Sequence, residues 1–113
     1  MRYVVLVYED EERWAAATAE QRQGYAARHG HFAEVAAELG IKVLAGEALA
    51  SVATATTLRR SGDAVVITDG PFAETAEQLG GFYLVDASNL DDVLEASREL
   101  IETIEIRPVG HTS

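Results

Sequence analysis

Thr68-Asp69-Gly70-Pro71-Phe72-Ala73-Glu74-Thr75-Ala76-Glu77-Gln78-Leu79-Gly80-Gly81 separates two runs that read as strands, Ala64–Thr68 and Phe82–Val85. Its punctuation decides how the chain turns. In Asp69-Gly70-Pro71 the aspartate can accept from nearby backbone N–H groups, the glycine tolerates positive φ, and the proline fixes its own φ. Phe72 is expected to pin this turn to a core. Gly80-Gly81 predicts close backbone approach at a strand entrance.

Working outward, residues 2–8 are rich in Val and Tyr and read as a buried strand. The acidic run Glu9-Asp10-Glu11-Glu12 opens a short helical turn around Arg13-Trp14-Ala15-Ala16. Thr18 and Gln21 fit a capping box, in which hydroxyl and amide each satisfy a free backbone donor. The helix begun there should run to about Leu39, with Gly40 as its left-handed terminator. Its buried stripe is expected to comprise Tyr25, Phe32, Val35, Ala36 and Leu39. A strand at Ile41–Leu44 follows. Thr54–Arg60 and Ala64–Thr68, joined by Ser61-Gly62-Asp63, form a predicted β-hairpin. Ser88 or Asn89 caps a second helix with Asp91 and Asp92 in its first turn, and Thr103–Val109 is the last strand.

Strand, helix, strand, hairpin, strand, helix, strand is an α+β order. It predicts a ferredoxin-like domain over residues 1–113, a mixed or antiparallel sheet with two helices on one face and an inserted hairpin. The uncovered face then needs a partner. Val5, Val7, Val66, Leu84 and Ile106 are expected to supply it and to be buried in a homodimer, each aliphatic side chain contributing ~1.5–3 kcal/mol when fully buried.

The 113 residues carry 19 acids and 9 bases, a net charge of −10. That balance argues against a basic nucleic-acid face and against docking on anionic membranes. No apolar run is long enough for a membrane-spanning helix, and no secretory leader is visible, so a cytoplasmic location is expected. Cys is absent, which removes disulfides, thiolate metal ligands and a cysteine nucleophile. No phosphate loop, dinucleotide fingerprint, metalloprotease helix or nucleophile elbow is present, and no cofactor is expected.

Asp69-Gly70-Pro71-Phe72-Ala73-Glu74-Thr75, followed by Glu77-Gln78-Leu79-Gly80-Gly81-Phe82-Tyr83-Leu84, resembles the signature of the DGPF proteins in the YCII-related superfamily. Met1–Tyr8, Ala45-Gly46-Glu47 and Ile104-Glu105-Ile106-Arg107-Pro108-Val109 are similar to the family's other fixed points. The resemblance implies a ferredoxin-like fold assembled as a dimeric α+β barrel. It also implies a suspected enzyme with a His–Asp pair in a cleft, substrate unknown, and a loose link to transcription through sigma-factor modules. The signature usually carries Lys where this chain has Ala76.

Spacing from the helix-ending Gly40 carries the family's histidine to His29, with His31 as the alternative. An imidazole can serve as general acid or base; the competing reading is a solvated helix residue. His29 and His31 are two apart, so they point ~200° away from each other on a helix, which disfavours a paired metal site. Asp69 is the expected acidic partner, an ionised turn carboxylate that would orient the imidazole; alternatively it only closes the turn. Glu47, Glu74 and Arg107, with loop residues Gly70, Pro71 and Phe72, complete the set expected at a small ligand. Arg60 and Arg107 sit at strand ends, where a guanidinium clamps an anion or merely discourages edge pairing. Two functions follow: His/Asp acid–base chemistry on a small polar metabolite, or a non-catalytic dimeric module binding a ligand or protein.

Overall fold

Alternation in Tyr3-Val4-Val5-Leu6-Val7 puts Tyr3, Val5 and Val7 on one side of the first strand, β1 (Arg2–Glu9). In the computed structural model, which describes residues 1–110, that side is buried. Asp10 then caps a short helix, α1 (Glu11–Ala16), accepting from the Glu12 and Arg13 N–H groups. The Thr18/Gln21 capping box starts α2 (Ala19–Glu38), and Gly40 leaves it at φ 74°.

Next come β2 (Lys42–Ala48), a 3-10 turn (Val52–Thr54), and the hairpin of β3 (Thr56–Ser61) with β4 (Ala64–Asp69). Gly62, at φ 61°, makes the hairpin turn possible. The chain ends through β5 (Gln78–Asp86), α3 (Leu90–Ser97) and β6 (Thr103–Pro108). Asn89 caps α3 by accepting from the Asp92 N–H.

The main sheet runs β2-β5-β1-β6 with every neighbour antiparallel, and β3-β4 is a separate two-stranded sheet. This is α+β with antiparallel sheets and three helices, consistent with a ferredoxin-like fold. Phe32 and Ala36 of α2 and Val93 and Ala96 of α3 meet Tyr3, Val5 and Val85 of the sheet in one core. His111 lies outside the described residues. Among the described residues no helix is long and apolar enough to cross a membrane.

Two expectations need correction. Val5 and Val7 belong to the helix-covered face rather than the open one, and Ile106 packs against the same core. The open face carries the alternate residues Val4 and Leu6, whose register partners are Leu84 and Phe82. Strand parity caused the error, since moving by one residue exchanges the faces. Val66 is not in the main sheet at all. Phe72, expected in the core, is 77% exposed; its ring lies against the Arg59 guanidinium and its carbonyl accepts from that side chain.

Two bulges shape the sheet. Val7 pairs with Gly81 but Tyr8 with Leu79, so Gly80 is the extra residue of β5. Leu44 is skipped in the same way between β2 and β5. Bulges re-aim side chains at strand ends, and the first of these lies where the candidate site opens.

Candidate functional site

Tyr25, His29, Phe32 and Ala36 follow one another at helical spacing along α2. Phe32 and Ala36 are buried against the sheet. One turn earlier the same stripe delivers His29 to the rim of the core, where the covering helices give way to a cavity of about 840 Å³. Three strands reach it with the same inward parity: Glu9 continues the Tyr3-Val5-Val7 face of β1, Tyr83 precedes Val85 on β5, and Glu102 precedes Ile104 and Ile106 on β6.

Both ring nitrogens of His29 are engaged. Nδ1 lies 2.5 Å from the Tyr83 hydroxyl and Nε2 lies 2.6 Å from Oε2 of Glu102. The Tyr83 ring is also stacked on Phe32, centroids 4.6 Å apart, so the core holds the phenol in place. Burial would push the Glu102 carboxyl up, but the hydrogen bond from His29, with the influence of nearby backbone N–H groups and of the imidazole, outweighs it and holds the group below its usual range. In the neutral ring, Nε2–H donates to the ionised Glu102 carboxylate and Nδ1 accepts from the Tyr83 hydroxyl. Burial, then the charge of Glu102, raises the Tyr83 phenol, so it stays protonated and donating.

Glycines make room for these groups. A Cβ on Gly46 would lie 2.7 Å from Cδ1 of Tyr83, and one on Gly80 would lie 2.2 Å from a carboxylate oxygen of Glu9. A Cβ on Gly81 would meet the Glu47 carbonyl at 2.9 Å, the close strand approach anticipated for this pair. Glu9 is raised by burial, by the charge of Glu102 and by that of Glu11, with His29 acting the other way. Trp14 of α1 and Tyr25 of α2, ring centroids 5.4 Å apart, form an aromatic wall.

Of the residues expected at a site, His29 and Glu47 line this cavity. Asp69 ends β4 on the hairpin, and neither it nor Gly70, Pro71, Phe72 or Glu74 is among the lining residues. Gly70, at φ 109°, closes the hairpin by donating to the Ala55 carbonyl, and its own carbonyl accepts from the Thr57 hydroxyl. Arg107 is paired with Glu105 at 2.5 Å on the open face of the sheet. His31 is exposed on α2, while Ala76 lines the cavity.

Glu102, Tyr83 and Glu9 were not anticipated. A parity signal existed for two of them: Glu102 interrupts an inward set ending in Ile104 and Ile106, and Tyr83 sits two residues before a buried valine. A charge or hydroxyl at an inward position asks for a polar partner.

Comparison with known proteins places these residues in a group. The chain is 36% identical over 116 residues to an uncharacterized protein of Rhizobium meliloti (strain 1021), the match covering 97% of this chain and 93% of that one. A family model, the YCII-related domain, matches residues 1–102, a span that includes Glu9, His29, Tyr83 and Glu102. The chain therefore belongs to the YCII-related family.

Proposed function

We propose that this protein carries out acid–base chemistry on a small polar metabolite in the His29 cavity, with Glu102 in the role that the sequence reading gave to Asp69. One observation carries the reading: an imidazole whose two nitrogens are held by a phenol and a buried carboxylate, at the wall of a cavity large enough for a metabolite. Tyr83 is the group that meets the ligand. When its oxygen takes a proton from the ligand, its own proton passes to Nδ1 of His29, and Glu102 stabilises the imidazolium. The reverse transfer returns the proton to the product.

The test needs no prior substrate. Wild-type protein and His29→Ala would each be incubated with a bacterial metabolite extract and the mixtures compared by mass spectrometry. The expected result is a compound consumed by the wild type and spared by His29→Ala and Tyr83→Phe. Identical profiles for all three would remove catalysis and leave a binding protein.

A second reading, the non-catalytic dimeric module, draws on a different feature. In the β3-β4 hairpin, Leu58 pairs with Ile67 and Arg60 with Val65, so Leu58, Ile67 and Val65 share one side of the ribbon. All three are exposed, Ile67 at 65%. A two-stranded ribbon is marginal alone, and an apolar side left to water does nothing to support it. A second copy of the chain is the proposed cover. This dimer is compatible with either function.

A further inference from the structure

Acids outnumber arginines around the cavity, Glu9, Asp10, Glu47, Glu77 and Glu102 against Arg13 and Arg22. Glu9 closes β1 and Glu102 immediately precedes β6, the strand paired with β1, while Glu47 lines the cavity from β2. Glu102 is the sharper observation. Its side chain is only 10% exposed, Oε2 is taken by His29, and Oε1 is buried with no hydrogen-bond partner. A buried carboxylate oxygen left unpaired is costly and marks a place where a donor belongs. Glu9 stands beside it, its carboxyl raised first by burial and then by the charge of Glu102.

Two of the other charged groups at the cavity are already committed. Asp10 caps α1. The Arg22 guanidinium lies 5.1 Å above the Trp14 ring and donates to the Trp14 and Ala15 carbonyls. That contact shows the wall accepting a cation on an aromatic face, an attraction worth about 0.5–1 kcal/mol where exposed. Among the described residues no three carboxylate or imidazole groups converge closely enough to hold a metal ion. A larger cation, spread over Glu9 and Glu102 and backed by aromatic rings, suits the spacing better.

We infer that the cavity selects an organic amine, whose ammonium group pairs with the carboxylates of Glu9 and Glu102 while its carbon body lies against Trp14 and Tyr25. The inference rests on this cavity being the functional site, as proposed above, and is independent of whether the site is catalytic.

Phenethylamine, 2-phenylethanol and 3-phenylpropionate make a matched set of cationic, neutral and anionic probes. Each would be titrated into the labelled full-length protein and followed by amide NMR shifts around the cavity. The amine should bind about tenfold tighter than the alcohol, as expected for a charge-assisted hydrogen bond, and the propionate weakest. Glu9→Gln should weaken the amine about tenfold and leave the alcohol unchanged. Glu102→Gln serves as a second variant, its folding checked by the amide spectrum. Equal affinity for amine and alcohol, tighter binding of the propionate, an amine affinity unmoved by Glu9→Gln, or no amine binding up to about 10 mM would each overturn the inference. A neutral or anionic compound consumed from the extract in a His29-dependent way would sink it too, while leaving the acid–base reading standing.

Discussion

Glu9 and Glu102 stand near each other in the cavity yet respond to folding in opposite directions. Glu102 is held below its usual range in the folded state. Its contribution to stability is therefore complete above the unfolded value of 4.5 and is lost as pH falls through the lower folded value. Glu9 is raised. It favours the folded state at pH below the unfolded value, and that advantage disappears as pH climbs through the raised folded value. Substitution separates the two. At neutral pH Glu102→Gln should cost about 1–3 kcal/mol, by removing the charged acceptor of His29. Glu9→Gln should raise stability slightly, since the amide needs no compensating charge. Urea midpoints between pH 7 and the acid range check both: the Glu102→Gln deficit must shrink on acidification. A Glu9→Gln protein less stable than wild type at neutral pH would show that Glu9 already has a protein partner. Retaining a carboxylate that weakens the fold is the pattern expected of a binding group.

Strand β5 is the element on which the site depends, since it bears Gly80, Gly81 and Tyr83 within six residues of its start. The two glycines act differently. Gly81 faces the backbone of β2, and the Glu47 carbonyl cannot swing aside. Gly80 is the bulge residue and faces the flexible end of Glu9. Gly81→Ala should thus force the strands apart and cost about 1–3 kcal/mol, as overpacking does. Gly80→Ala should cost less than about 1 kcal/mol, because Glu9 can move, but it should also displace that carboxylate from the cavity. Chemical denaturation of the two variants decides the point; equal losses would mean that Glu9 is locked in place. Helix α2 contributes in the same mixed way. Its stripe anchors with Phe32 and Ala36 and spends the preceding turn on His29.

The whole molecule is broad and thin, 49 × 46 × 18 Å, with a radius of gyration of 16.2 Å. A compact chain of this length would have a radius of about 13 Å. The excess fits a two-layer body, with one sheet face open and a hairpin that forms its own sheet. Val43 and Leu44 on the edge strand β2 are also exposed. Apolar surface distributed in this way favours a second copy over a small ligand. Light scattering should give twice the chain mass of 12.2 kDa for wild type, and the single mass for Ile67→Lys, whose charge would fall in the interface. A wild-type protein that runs as a monomer at tens of micromolar would end the dimer proposal.

Sequence alone was sufficient wherever the controlling interaction is local. The Thr18 capping box, the Gly40 terminator, the Gly62 turn and the two inward residues of α2 depend on neighbours within a few positions, and each could be read without a fold. Strand parity was less secure, because alternation identifies two faces but not which one the helices cover; Val5 and Val7 were assigned to the wrong side for that reason. Of the site, His29 and Glu47 were reached, but the groups that hold the imidazole were not. Tyr83 is 54 residues from His29 and Glu102 is 73, and only the β2-β5-β1-β6 order brings them to one helix turn. Asp69 offered the better local chemistry, a carboxylate in an ordered turn, yet its hairpin forms a sheet of its own. Which acid meets the imidazole is a matter of strand order and chain packing, and no spacing along the chain encodes that.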